Sequence, residues 1–182
     1  MLHPYVETRR TNLKPLGCLS EKDLREKIQD RNLSNIDGAE EFLSRNAEPP
    51  GEVLGHVALE HSGGSQPIGV ASVHRIAGDR GGGAVQMLQD DGSLVHGMGV
   101  EANLLLMNYL FATWDLERIY FTPDSDGVEH VSNYPGMVDA VSRGDVEIPG
   151  WDDGRAVFCM ERANWESVGS MFLKVLVRRS SN

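Results

Sequence analysis

Two closely spaced glycines, Gly97 and Gly99, stand just before a long apolar segment that runs from Asn103 to Trp114. A tight backbone turn followed at once by a helix leaves the first amide groups of that helix without partners. Those amides, together with the positive end of the helix dipole, attract phosphate oxygens. The turn Gly97-Met98-Gly99-Val100 therefore predicts the binding of a phosphorylated cofactor.

A nucleoside triphosphatase loop would need a lysine directly after its last glycine, to reach the β- and γ-phosphates. Val100 occupies that position, and the chain has no lysine between Lys27 and Lys174. The sequence excludes this class of site.

A dinucleotide site is the second alternative, because Gly97, Gly99 and Ala102 match the pattern G-x-G-x-x-A. That pattern should follow a strand directly, with an acidic residue about 20 positions on at the end of a second strand. Here residues 90–96 intervene, and Glu117 precedes the next predicted strand instead of ending it. The match to this pattern is weak.

The elements that must position the turn follow from hydrophobic period and turn residues. Glycine-containing turns join three central strands and predict an antiparallel meander, and the next segment has a helical period. The predicted order is strand Thr11–Leu16, helix Glu21–Gln29 capped by Ser20, helix Gly38–Arg45, strands Glu52–Glu60, Pro67–Ile76 and Ala84–Gln89, a helix ending near Trp114, strand Leu116–Phe121, an interrupted helix within Val128–Ser142, and strand Arg155–Arg162. The apolar run Phe172–Val177 stays without an assignment.

Composition and charge set limits on the partners. Of the 182 residues, positions 85–154 hold 13 Asp or Glu and only two Arg, which gives this part a charge of −11 within a net charge of −10. Such a surface repels nucleic acid and attracts amines or cationic peptides, and plain solubility is the other explanation. Two distant cysteines, Cys18 and Cys159, form no disulfide framework and favour a reducing compartment. Without an apolar signal core or a membrane-length apolar run, we expect a cytoplasmic protein.

Residues Leu94 to Gly99, followed by Val100-Glu101-Ala102 and an apolar helix, carry a family resemblance. They resemble the pattern Q/R-x-x-G-x-G/A followed by T-E-A of the GNAT N-acyltransferase superfamily, in its branch that acetylates the N-termini of ribosomal proteins and related amines. Further similar segments are Thr8–Leu13, Pro67–Val70, the strand after Trp114, and Asp153–Trp165. The resemblance covers about residues 8–168.

The resemblance implies a single α+β domain over residues 1–182, with a central mixed, mostly antiparallel sheet flanked by helices. It also implies acetyl-CoA as acyl donor. The residues it assigns to the cofactor are His96, Gly97, Met98, Gly99 and Val100, with a backbone amide of Met87 or Leu88 polarising the thioester carbonyl. The chain departs from the family at Leu94, at Asp124-Ser125-Asp126 and at Gly136-Met137.

Many relatives place a glutamate on the fourth strand as general base, but Ala84–Gln89 contains none. The base must come from elsewhere, act through water, or be absent. Asp124, Glu129 and His130 follow the fifth strand, where a solvated turn is the alternative reading. His74 on the third strand is a further candidate, although a lone histidine there is more often a packed, hydrogen-bonded residue.

Relatives often use a Tyr or Ser after the fifth strand to protonate the leaving thiolate. Tyr134 and Ser132 fall in this segment. Tyr134 directly precedes Pro135-Gly136, so a residue in the wall of the helix break is the alternative reading.

The sequence thus predicts an N-acetyltransferase that moves an acetyl group from acetyl-CoA to a primary amine of a small molecule or peptide N-terminus. A biosynthetic acyltransferase with another donor and a non-catalytic module that binds coenzyme A are the alternatives. We expect no metal, because the histidines form no H-E-x-x-H pattern and the chain has no cysteine pair. We also expect neither nucleic acid nor membrane as a partner, with a homodimer left open.

Overall fold

The computed structural model describes residues 2–64, 66–90, 98–122, 141–143, 146, 148–151 and 157–178. The strands are β1 (Thr11–Gly17), β2 (Val53–His61), β3 (Pro67–Arg75), β4 (Gly82–Gln89), β5 (Arg118–Phe121), β6 (Val141–Arg143) and β7 (Phe158–Glu161). The helices are α1 (Glu21–Asp30), α2 (Ala39–Ala47), α3 (Met98–Thr113), α4 (Arg162–Asn164) and α5 (Ser170–Arg178). A π-helical turn, Trp165–Gly169, connects α4 to α5.

The strands form one sheet in the order β1-β2-β3-β4-β5-β7-β6. The pairs from β1 to β4 are antiparallel, β4 and β5 run parallel, and β7 pairs antiparallel with both β5 and β6. Parallel neighbours need a long connection across a sheet face, and α3 lies between β4 and β5 in the chain. The α+β class and the mixed, mostly antiparallel sheet flanked by helices are therefore confirmed.

Both faces of the sheet are covered. Helix α3 packs its leucines on one face and is joined there by α5 through the buried Leu173. Helices α1 and α2 cover the other face around Val70 and Leu88. A third apolar cluster on that second face brings Trp151 and Ile148 against Tyr120 and neighbouring strand residues. Because strand residues are buried on both faces, β3 has no solvent-exposed side along its interior.

In the first half of the chain, local sequence signals predicted the elements that the structure shows. Ser20 caps α1, with its hydroxyl accepting a hydrogen bond from the Asp23 amide at 3.2 Å. The predicted meander of β2, β3 and β4 is confirmed by its antiparallel ladders.

The second half needs three corrections. Val141 and Ser142 belong to a strand and not to the predicted interrupted helix, because they pair with Met160 and Cys159 of β7. The last long strand is shorter than predicted, since Arg162 already begins α4. The unassigned run Phe172–Val177 is helical, because its apolar side packs against α3. No helix among the described residues is long and apolar enough to cross a membrane.

Candidate functional site

Strand β4 continues beyond its ladder with β5. The last paired residues of the two strands are Val85 and Phe121, whereas β4 runs on to Gln89. The ladder with β3 persists along this extension, up to the pair Gly69 and Gln89. Among the described residues, the second half of β4 therefore pairs with β3 and not with β5.

The direction of the β4 backbone groups follows from two hydrogen bonds at the ends of its ladder with β3. The Ile76 amide donates to the Gly82 carbonyl at 3.0 Å, and the Asp90 amide donates to the Ile68 carbonyl at 2.9 Å. Because hydrogen-bonded and non-hydrogen-bonded pairs alternate in an antiparallel ladder, the even-numbered residues of β4 bond to β3. The amide of Met87 therefore points to the β5 side, past the end of that ladder.

This alternation separates the two residues proposed to polarise a thioester carbonyl. Leu88 directs its amide at Val70 of β3 and its side chain into the α1–α2 core. Its amide is thus occupied by the ladder with β3. The amide of Met87 points to the β5 side and its side chain packs with the α3 core, so Met87 stays the candidate for contact with a thioester carbonyl.

Helix α3 begins at Met98, and hydrogen bonds connect its first turn to the segment just before β1. Glu101 is only 3% exposed and receives hydrogen bonds from Arg10, at 2.8 Å from Nε and 2.6 Å from Nη2. The Thr8 hydroxyl donates to the other carboxylate oxygen. A carboxylate in the first turn would repel a bound phosphate, but here the Arg10 guanidinium balances its charge. The positive end of α3 is thus preserved.

A pocket of about 350 Å³ lies beside this helix start. Its lining consists of Arg9, Arg10, His61, residues 62–64, Gln66 and Met98. Two arginines next to a helix N-terminus make the pocket suitable for an anionic group. The pocket contributes positive charge to a chain whose residues 85–154 are strongly acidic.

A row of polar side chains crosses the sheet face that α1 and α2 cover. His56 on β2 lies opposite Ser72 on β3, which lies opposite Gln86 on β4. All three are buried, with exposures of 3%, 0% and 6%. Asn46 of α2 donates to the Gln86 side-chain oxygen at 3.2 Å, so the helix extends the row.

His74 follows Ser72 on the same side of β3 and is 0% exposed. Neither of its ring nitrogens has a hydrogen-bond partner in the described part of the chain. Burial, together with a smaller effect of the nearby His56, lowers the pKa of His74 to about 4. His74 is therefore neutral at pH 7, and such a low pKa makes it a weak general base.

The structure brings some of the predicted residues together and leaves others undescribed. Met98, Gly99 and Val100 form the first turn of α3. Met98 lies beside His61 and Gln66, at the end of the sheet where β4 finishes. The remaining predicted residues lie outside the described ranges: His96, Gly97, Asp124, Glu129, His130, Ser132 and Tyr134. Neither Asn46 nor Ser72 was predicted, because no local signal shows that residues from different elements meet on one face of the sheet.

No protein-family model and no curated protein matches this sequence. Solved structures do match. One, described as a nucleotide-linked sugar GNAT named FdhC, shares 14% identity and a TM-score of 0.60, with 94% of this chain and 97% of that chain covered. The fold is the GNAT fold. An aminoglycoside acetyltransferase, AAC(6')-Ib, solved with coenzyme A, shares 16% identity and a TM-score of 0.56, over 87% of this chain and 98% of its own.

A putative ribosomal-protein-serine acetyltransferase from Vibrio cholerae also has this fold, at 15% identity and a TM-score of 0.53, with 86% of this chain and 96% of that chain covered. Its identity to this chain lies between those of the sugar GNAT and the aminoglycoside enzyme. The GNAT fold is shared with all three, and the predicted ribosomal-protein branch is not distinguished from the others.

Proposed function

We propose that this protein is an N-acetyltransferase that transfers the acetyl group of acetyl-CoA to a primary amine of a small molecule or peptide by direct attack. The observation that carries this proposal is the end of β4 that does not pair with β5. The Met87 amide there points away from β3 and lies beyond the last β4–β5 pair, at the end of the sheet where α3 begins. Proteins with the same fold include an acetyltransferase solved with coenzyme A.

The donor would bind with its diphosphate at the first turn of α3, over Met98, Gly99 and Val100 together with the preceding His96 and Gly97. Helix amides supply the hydrogen bonds, and Arg9 adds positive charge from the adjacent pocket. The absence of a lysine from this half of the chain leaves backbone amides and arginine as the phosphate ligands.

The reaction needs positioning and two proton transfers. The amine nitrogen attacks the thioester carbonyl carbon while the Met87 amide hydrogen-bonds the developing oxyanion. The C–S bond then breaks, and the thiolate takes a proton, for which Tyr134 or Ser132 is our candidate. The amine gives up its proton to water or to Asp124, since His74 is a weak base. Positioning alone can lower the barrier by about 7–11 kcal/mol, so a strong base is not essential.

The first test is calorimetric titration of the full chain with acetyl-CoA, followed by thiol release in the presence of primary amines. We expect 1:1 binding and amine-dependent thiol release. Arg9→Gln should weaken acetyl-CoA binding roughly fivefold, the size expected for an exposed charge contact. Arg80→Gln removes the same charge from an exposed turn at the opposite end of the sheet and should leave the Kd unchanged.

The outcomes separate the proposal from its alternatives. Binding without thiol release from any amine would favour a non-catalytic module. Preference for a longer acyl-CoA over acetyl-CoA would favour a biosynthetic acyltransferase with another donor. A chain that binds no acyl-CoA would contradict all three functions.

A further inference from the structure

One buried carboxylate connects the segment before β1 to the first turn of α3. Glu101 is 3% exposed, and its Oε2 accepts hydrogen bonds from the Arg10 Nε at 2.8 Å and the Arg10 Nη2 at 2.6 Å. The buried Thr8 hydroxyl donates to the other oxygen, Oε1. Both oxygens are therefore engaged, and the carboxylate is held in one orientation.

Glu101 is also the acidic residue closest to the proposed binding position of the donor's diphosphate on α3. It stands three residues after Met98, which is roughly 5 Å along the helix axis. That separation is shorter than the screening length of about 8 Å at physiological salt. The first turn, Met98-Gly99-Val100-Glu101, carries no basic residue of its own. An unbalanced carboxylate here would oppose the attraction of the helix end for an anion.

Arg10 supplies the balancing charge from a distant part of the chain. Its guanidinium pairs with Glu101 and also lines the pocket beside the helix start, next to Arg9. The Arg10 side chain is 46% exposed, so water screens the pair and its contribution to folding is small. Because the pair is neutral as a whole, Arg9 provides net positive charge beside the first turn of α3.

Other contacts hold α3 in place without Arg10. The buried leucines of the helix pack into the main core of the sheet. Asn108, seven residues beyond Glu101, donates to the His3 carbonyl at 2.7 Å and so provides a second link to the N-terminal segment. Removal of the Arg10 guanidinium should consequently change the charge at the helix start far more than the position of the helix.

We propose that Arg10 is a positioning residue for the acyl donor: it neutralises Glu101 and so keeps the first turn of α3 attractive to the donor's diphosphate. This inference rests on the proposed acetyl transfer, and it adds to the donor site a residue from outside the glycine turn and its helix. Arg10 acts through Glu101 and not by contact with the reacting atoms. The affinity for acetyl-CoA should therefore follow the net charge of the pair.

The test measures the Kd of acetyl-CoA by calorimetric titration of full-length variants that change this net charge. Arg10→Gln leaves Glu101 unbalanced and should weaken binding about tenfold. Glu101→Gln keeps the shape of the side chain and leaves Arg10 unbalanced, so binding should equal the wild type or be up to about fivefold tighter. The double variant is neutral like the wild type, and its Kd should lie within about twofold of the wild-type value.

Two further variants separate charge from structure. Thr8→Val removes a neutral hydrogen bond to the same carboxylate, together with the bond that the Thr8 oxygen accepts from the Thr11 amide. It should lower Tm and leave the Kd unchanged. Lys14→Gln is the matched control for charge, because Lys14 is 56% exposed and pairs with the buried Glu60. Arg31, at the end of α1, also binds Glu60, so this pair lies at a different helix and its loss should leave the Kd unchanged.

Salt provides a readout that a purely structural role would not change. Raising NaCl from about 0.05 to 0.5 M should reduce the difference in Kd between Arg10→Gln and the wild type to about threefold or less, because screening weakens the repulsion. If Arg10 served only to pack the helix, the ratio of the two Kd values would be the same at both salt concentrations, and the inference would be wrong.

The sign of the Glu101→Gln effect decides the question even if Arg10→Gln does not fold. Weaker binding of acetyl-CoA by Glu101→Gln than by the wild type would overturn the inference. So would a double variant that binds as weakly as Arg10→Gln, because Arg10 would then act by direct contact with the donor. Both results leave acetyl transfer intact. Absence of thiol release with every amine would contradict the proposed function alone, and a wild-type chain that does not bind acetyl-CoA would contradict both proposals.

Discussion

At the scale of single residues, His74 shows how far the surroundings change the chemistry of a side chain. Its ring is fully buried on β3, and desolvation favours the neutral form. The sequence marks His74 as a candidate base because a histidine of ordinary pKa titrates near neutrality. Burial removes that property and leaves a neutral hydrogen-bonding group. The residue type alone could not reveal this difference.

His74 should make the folded state sensitive to acid. Its folded pKa of about 4 lies below the ordinary 6.5, so the unfolded chain binds the proton more readily. Its contribution to stability is complete above pH 6.5 and is lost progressively as the pH falls towards 4, by about 3 kcal/mol in all. His56, whose pKa burial also lowers, adds to the same trend. Denaturant unfolding between pH 7 and 4 measures the loss.

The variant His74→Leu should flatten that pH dependence, because leucine cannot bind a proton. His3→Gln, at an exposed position, is the control and should leave the wild-type slope in place. An equally steep decline in His74→Leu would show that other groups cause the acid sensitivity.

At the scale of elements, the connection from β7 to α5 depends on one aromatic residue and one glycine. Trp165 is fully buried, and its indole NH donates to Asn108 of α3 at 3.4 Å. Asn108 in turn donates to the His3 carbonyl at 2.7 Å, so this contact joins the N-terminal segment, α3 and the π-helical turn. Gly169 faces the Trp165 ring at a distance that leaves no room for a side chain.

Gly169→Ala should therefore destabilise the fold. A Cβ at this position would overlap the Trp165 ring, and overpacking a core typically costs 1–3 kcal/mol, so we expect a loss of about 2 kcal/mol in the free energy of unfolding. Gly63→Ala is the matched control, since an added Cβ there meets nothing within 4 Å. Equal stability of the two variants in urea unfolding would contradict close packing in this turn.

At the scale of the whole molecule, charge is divided unevenly along the chain. Residues 85–154 carry −11 by formal count, whereas the segment before β1 holds Arg9 and Arg10. The fold brings part of this charge together, because Arg10 pairs with Glu101 from the acidic segment. Much of the remaining excess is unbalanced, and like charges at a surface oppose a compact state.

Added salt should therefore stabilise the folded protein. Raising NaCl from about 0.05 to 0.5 M shortens the screening length from over 10 Å to roughly 4–5 Å and weakens repulsion among the acidic residues. We expect Tm to rise by about 2–4 °C, which corresponds to roughly 1 kcal/mol for a chain of this size. KCl should give the same rise, as a control for specific ion effects. A fall in Tm would mean that ion pairs such as Arg10–Glu101 outweigh the repulsion.

The sequence by itself determined the elements that depend on local signals. The Ser20 cap and the antiparallel meander follow from neighbours within a few positions, since caps, turns and periods are properties of a short stretch of chain. Helix α3 begins at Met98, so Gly99 and Val100 of the predicted glycine turn lie within its first turn. The resemblance of residues 8–168 to the GNAT superfamily predicted the fold.

Only the tertiary structure decided which of these groups work together. The phase of the β4 ladder directs the Leu88 amide to β3 and the Met87 amide to the β5 side, and the pairing of Val141 with Met160 places a strand where a helix was predicted. The row of buried polar side chains draws Asn46 from a helix and Ser72 from a strand. Register and packing join residues far apart in the chain, and whether a polar atom finds a partner depends on that long-range arrangement, which no local pattern encodes.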